Sequence, residues 1–127
     1  MKQIINTPNA PAPIGPYNQA VWAQNTLYIS GQIGLDPQTM ELQNSTIAIE
    51  TRQVLDNLSA ILTAAGLDRT AVVKTSIFLS DMELFSEVNE VYGQYFEEAN
   101  APARETVAVK ALPKYVNVEI SAIAVRL

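Results

Sequence analysis

Apolar residues in this chain fall into two kinds of spacing. Between residues 45 and 65, Ile47, Val54, Leu58, Ile61 and Ala65 recur at three- and four-residue intervals, with Leu55 and Leu62 beside them. That period predicts a long amphipathic helix with one buried stripe. Gly66 follows directly and suits a left-handed C-terminal cap, because Gly alone takes positive φ without steric cost. A second helix is predicted after Ser80, which forms a capping-box pattern with Glu83. Phe85, Val88, Tyr92, Tyr95 and Phe96 share its apolar face, Asn100 and Pro102 close it, and Glu87, Glu90, Glu97 and Glu98 belong to its solvated side.

Elsewhere the period is two. A short strand is expected at 2–5, and strands at 19–23 and 27–32 flank the turn signal Gln24-Asn25-Thr26 and predict a hairpin. In the second of these, Leu27 and Ile29 alternate with Tyr28 and Ser30, and the run breaks at Gly34 and Asp36-Pro37. Residues 72–79 are rich in β-branched side chains and read as a strand. The stretch 101–125 reads as two strands joined by a Pro-containing turn, which makes them expected neighbours. Arg104, Thr106 and Ala108 face away from Glu105, Val107 and Val109, and Val118, Ile120, Ala122 and Ala124 face away from Glu119, Ser121, Ile123 and Val125. Pro density at 6–16 rules out helix and regular pairing, leaving either a plain linker or a loop that delivers Tyr17 to a site.

The order β-β-β-α-β-α-β-β over residues 1–127 predicts one α+β domain: a mixed sheet of about six strands with two helices packed on one face. The other face would then carry Tyr28, Ser30, Phe78, Ile123 and Val125 together with Arg104 and Glu119. A half-apolar, uncovered face predicts packing against further subunits.

Composition narrows the chemistry. The net charge of −5, with dispersed basic residues, opposes a nucleic-acid binder that tracks phosphates. No apolar run is long enough to span a bilayer, and the first residues lack the apolar core of a signal peptide, so a cytoplasmic protein with no membrane partner is expected. With neither His nor Cys, nucleophilic triads, thiol redox chemistry and the usual zinc and iron–sulfur ligand sets are excluded.

Arg104 and Glu119 are the candidate chemical pair. The planar fork of Arg104 matches a carboxylate through two parallel hydrogen bonds, and a small carboxylate-bearing substrate would suit it. Glu119 lies among small and apolar neighbours, where partial burial would raise its pKa and make it a proton donor or acceptor. The alternative is a structural ion pair between the two. Ser30 beside Gly31 could offer a hydroxyl and an accessible N–H, or could simply end a strand. Tyr17 and Asn89 are equally at home as packed amphipathic residues.

The block Pro-Ala-Arg-Glu-Thr-Val-Ala-Val-Lys-Ala-Leu-Pro-Lys-Tyr-Val-Asn-Val-Glu-Ile ending at Ile120 resembles the signature of the RidA/YjgF family of reactive-intermediate deaminases. Ala-Pro-Ile-Gly-Pro-Tyr ending at Tyr17, Ile-Ser-Gly-Gln-Ile ending at Ile33, Ala-Ala-Gly-Leu ending at Leu67 and Val-Asn-Glu-Val-Tyr ending at Tyr92 extend the similarity. The resemblance implies a chorismate-mutase-like fold and a homotrimer with sites between subunits. It also implies hydrolysis of 2-aminoacrylate/2-iminopropanoate and 2-iminobutanoate, released by pyridoxal-phosphate dehydratases, to 2-oxo acids and ammonia, with no cofactor or metal of its own. Carried over, Arg104 holds the substrate carboxylate and Glu119 handles the attacking water; Tyr17, Ser30, Gly31, Asn89 and Thr106 line the pocket. A 2-oxo-acid-sensing or chaperone-like trimer of the same fold is the alternative, and RNA cleavage is disfavoured by the acidic balance and missing His. Where the family often has a small residue and then Cys after the arginine, this chain has Glu105 and Thr106. Thr106 keeps the Cys position's backbone contacts, and Glu105, facing the other way, could narrow the substrate range.

Overall fold

The computed structural model describes residues 1–127. Six strands, β1 (Gln3–Ile5), β2 (Ala20–Ala23), β3 (Thr26–Gln32), β4 (Val72–Leu79), β5 (Ala103–Ala108) and β6 (Val118–Val125), form one mixed sheet in the order β1-β2-β3-β6-β4-β5. Only the β4–β5 pair is parallel. Helices α1 (Ile47–Ala64) and α2 (Phe85–Tyr95) cover one face. Their buried residues, including Val54, Leu58, Ile61, Val88 and Tyr92, join Leu27, Ile29, Ile77, Ile120 and Ala122 of the sheet in one core. The fold is α+β, as the element order predicts.

At α1 the expected Gly66 cap forms, and Thr46, which was not among the sequence expectations, caps the start. Thr46 Oγ1 accepts from Ile49 N–H at 3.1 Å. At the other end Leu67 N–H donates to Leu62 O and Gly66 N–H to Thr63 O, both at 2.9 Å, with Gly66 at φ +76°. This is the paired bonding that a left-handed glycine cap makes possible. Ahead of α2 the capping box does not form. Asp81, not Ser80, accepts from Glu83 N–H at 2.9 Å and starts the short 3-10 turn Met82–Leu84, while Ser80 Oγ donates to Asn117. A carboxylate one residue nearer the turn outcompetes the hydroxyl as acceptor. The helix stops at Tyr95, with Phe96 extended, short of the expected Asn100 and Pro102.

Two expectations about the last strands are overturned. β5 and β6 are not neighbours, because β4 lies between them. Through α2 the chain returns to the start of β4, so β5 runs parallel to it at the sheet edge. Residues 109–117 then cross the end of β4, where Val109 N–H donates to Leu79 O and Ser80 N–H to Asn117 O. The side of Arg104 is also reversed. Alternation within β6 holds, with Val118, Ile120, Ala122 and Ala124 buried. In β5, however, Arg104, Thr106 and Ala108 pair with Thr75, Ile77 and Leu79, whose side chains are buried on the helix-covered face. Val107, expected opposite Arg104 and so on the helix side, is 44% exposed on the open face. An edge strand has little covering it on either side, so its apolar positions do not identify the core.

Two buried polar side chains tie segments that have no regular pairing. Glu50, fully buried in the first turn of α1, accepts from Asn117 N–H at 2.8 Å, Asn117 Nδ2 at 2.9 Å and Val118 N–H at 3.3 Å. Asn57 Nδ2 donates to Ile33 O and Leu35 O, fixing the chain beyond β3. No helix is long and apolar enough to cross a membrane.

Candidate active site

Glu119 projects from the open face of β6 into a cavity of about 550 Å³ bordered by Tyr17, Ser30, Gly31, Ile33 and Lys114. Beside this cavity β3 is irregular between Ile29 and Gln32, where its register against β6 shifts. An extra residue in one strand bends it locally, and Gly31 sits at this bend. A Cβ on Gly31 would lie 2.3 Å from Glu119 Oε2, so the missing side chain is what lets the carboxylate lie there. Burial raises the Glu119 pKa above the ordinary carboxylate value. No neighbouring charge contributes to that shift, and no ion pair holds it.

The Pro-rich loop forms the opposite wall, and it is tied down rather than loose. Gln19, at the foot of β2, accepts from Thr7 N–H at 2.6 Å and donates to Thr7 O, Ala10 O and Pro11 O at 2.9–3.1 Å. Proline supplies no N–H, so this loop's carbonyls need side-chain donors, and one buried amide provides them. Tyr17 then reaches the cavity with its hydroxyl oxygen accepting from Ile14 N–H at 3.4 Å, leaving its own proton to donate. Ser30 Oγ donates to Asn18 O at 2.7 Å, so what Ser30 offers a ligand is a lone pair.

Arg104 occupies a different place. Its Nη1 donates to Asn89 Oδ1 at 2.7 Å, and its guanidinium stacks 4.9 Å from the Tyr92 ring and 5.6 Å from that of Phe85. Tyr92 is itself held by a 2.7 Å hydroxyl contact with Thr75, and burial raises its pKa. Arg104, Asn89 and Tyr92 border a hollow of about 530 Å³ on the α2 side. Thr106 shares this side of β5, and its hydroxyl is buried with no partner. Glu105 faces the other way: Ser76 donates to it and Lys74 Nζ lies 2.9 Å away. The Ser76 bond first, then Lys74, holds its pKa low, so Glu105 is an ionised, engaged carboxylate that does not neutralise Arg104.

Thus Tyr17, Ser30, Gly31 and Glu119 come together, and Arg104 and Asn89 come together, but the two groups lie on opposite faces of the sheet. The ion pair weighed as an alternative does not form. Gln19, Glu50 and Lys114 were not among the sequence candidates. A glutamine following a Pro-rich loop was the available signal for the first, whereas nothing local marks the other two. No group of three or more Asp or Glu side chains converges as a metal site would require.

Comparison with known proteins gives the family. The family model described as Endoribonuclease L-PSP matches residues 7–126. A RutC family protein of Synechocystis sp. is 53% identical over 97% of this chain and 95% of its own. The human 2-iminobutanoate/2-iminopropanoate deaminase is 48% identical over 99% of this chain and 91% of its own. Among solved structures, Escherichia coli TdcF with bound serine superposes with a TM-score of 0.92 at 43% identity, covering 98% of this chain and 99% of that one. The chain belongs to the Endoribonuclease L-PSP family, the RidA/YjgF group that its motifs resemble.

Proposed function

We propose that the protein is a 2-iminobutanoate/2-iminopropanoate deaminase whose site is completed by a second copy of the chain. The observation that carries this reading is the separation of Arg104 from Glu119. Each lines its own concavity, on different faces, and neither concavity alone brings the Arg104 fork together with the half-buried Glu119. Joining the α2-side hollow of one protomer to the open-face cavity of the next uses two different surfaces. A head-to-tail contact of that kind makes a ring when its rotation closes, and a homotrimer is the ring that the family resemblance implies. The open sheet face supplies apolar contact, with Tyr28 49% and Val107 44% exposed. Relatives at about half identity carry the deaminase name, and the serine bound to TdcF has the α-carboxylate and nitrogen that such a site would recognise.

In this arrangement the enamine from a dehydratase tautomerises to the imine. Arg104 of one protomer clamps the carboxylate, and Asn89 and Tyr92 hold the guanidinium in place. Glu119 of the next accepts a proton from water as its oxygen bonds to the imine carbon, then returns that proton to nitrogen. Glu119 next takes the proton of the new hydroxyl and passes it to the same nitrogen, the C–N bond breaks as C=O forms, and the products are the 2-oxo acid and ammonia. The Ser30 lone pair accepts from the nitrogen's N–H, and the Tyr17 hydroxyl donates to the oxygen. Positioning supplies much of the acceleration, and Glu119, half-buried with its pKa raised by desolvation, is suited to moving the proton.

The test couples purified protein to a serine or threonine dehydratase and follows ammonia or 2-oxo acid release. Wild type speeds release; Arg104→Ala abolishes it and keeps the folded circular-dichroism signal. Absence of acceleration by wild type refutes the reading. Glu119→Gln separates catalysis from sensing: an enzyme loses turnover and keeps 2-oxobutanoate binding, whereas a pure binder shows no turnover in either form and binds equally well in both.

A further inference from the structure

Pro113, Lys114 and Tyr115 form a 3-10 turn in which Lys114 and Tyr115 stand at φ +55° and +54°. Two successive side-chain-bearing residues in the left-handed region are costly, and such strain persists only where the surroundings over-determine it. Here Leu112 and Val116, both buried, clamp the turn, and Tyr115 N–H donates to Leu112 O at 2.8 Å. One result is that Tyr115 is thrown out to 88% exposure. The other is that Lys114 lines the Glu119 cavity, where these two are the only charged residues. Lys114 has no carboxylate partner, and Glu119 is perturbed by burial alone, so the ammonium is not spent on Glu119. A cavity of about 550 Å³ lies in the range that takes whole drug-sized ligands, far more than a three- or four-carbon imino acid fills.

We infer that Lys114 is a second anion anchor, and that the site takes 2-imino acids bearing a side-chain carboxylate as well as the small neutral ones. This rests on the deaminase reading above, with Arg104 of the neighbouring copy holding the α-carboxylate and Lys114 meeting the distal one. The reaction is unchanged: water adds across C=N, and the 2-oxo dicarboxylate and ammonia leave.

The experiment compares wild type, Lys114→Met and Lys114→Glu on imines generated in situ by amino-acid oxidases, from 2-aminobutanoate and from glutamate. Titration calorimetry with 2-oxobutanoate and 2-oxoglutarate gives a readout independent of turnover. Loss of a charge-assisted contact corresponds to about tenfold or more. Lys114→Met should therefore lower the dicarboxylate-to-monocarboxylate ratio of kcat/KM at least about tenfold, weaken 2-oxoglutarate relative to 2-oxobutanoate by a similar factor, and Lys114→Glu should lower both further. Ratios unchanged in both variants, or equal losses for both substrates and both oxo acids, overturn the inference. If wild type hydrolyses neither imine, the deaminase reading fails, and the calorimetric ratio still decides the role of Lys114.

Discussion

Replacing Gly31 with Ala tests the site without touching a charged group. The new Cβ would stand 2.3 Å from Glu119 Oε2, 2.8 Å from Cδ and 3.0 Å from Cγ. Ordinary contact begins near 3.4 Å, so the carboxylate must retreat by about 1 Å. The fold should tolerate this, because Gly31 is not in the left-handed region and Ala is worth roughly 0.5–1 kcal/mol over Gly inside a strand. That gain offsets the ~0.5–1.5 kcal/mol of an off-rotamer glutamate. Catalysis should not tolerate it: a misplacement of ~1 Å can cost on the order of 10²-fold. The loss should fall mainly on kcat, since Glu119 acts on water rather than on the substrate's carboxylate. Dehydratase-coupled release of 2-oxobutanoate measures this, with thermal unfolding as the control for fold. A carboxylate pushed toward solvent also loses part of its burial, so the acidic limb of the pH–rate profile should move down toward 4.5. Turnover within about threefold of wild type, with the protein folded, would show that the placement of Glu119 over Gly31 does not govern the chemistry.

Glu50→Ala removes the acceptor for two backbone N–H groups and the Asn117 amide; at about 1–3 kcal/mol for each buried group left unpaired, a loss of roughly 3–5 kcal/mol is expected in urea unfolding. Stability should also report Glu119. Its folded pKa is raised by burial, so the folded state holds the proton more tightly than the unfolded chain, and the contribution is full below the unfolded value of about 4.5 and lost as pH rises through the folded one. Glu119→Gln should remove that slope, so unfolding midpoints for wild type and variant diverge as pH rises through this window, in favour of the variant. Parallel curves would place the carboxylate in water.

How far the chain could be read locally is seen by comparing Gly66 with Arg104. The Gly66 cap, the α1 stripe, the β2–β3 hairpin and the buried side of β6 depend on residues a few positions apart, where one turn of helix or one pleat fixes geometry. Those features were legible, as were the residue types of the candidate site. The face presented by Arg104 was not, because alternation shows that two residues are opposed but not which of them meets a helix. On β5 the answer came from its edge position and its register with Thr75, Ile77 and Leu79.

The same division holds for the whole molecule. Composition and short-range periodicity determined the element types, the absence of thiol and imidazole chemistry, and the motifs that mark the family. Tertiary structure alone decided that β4 separates β5 from β6, that Gln19 and Glu50 satisfy distant backbone groups, that Lys114 shares a cavity with Glu119, and that Arg104 does not. Such an arrangement depends on how segments pack together in space rather than on the local period of the sequence. Its free energy depends on which partner is available in space, and no window of neighbouring residues carries that information.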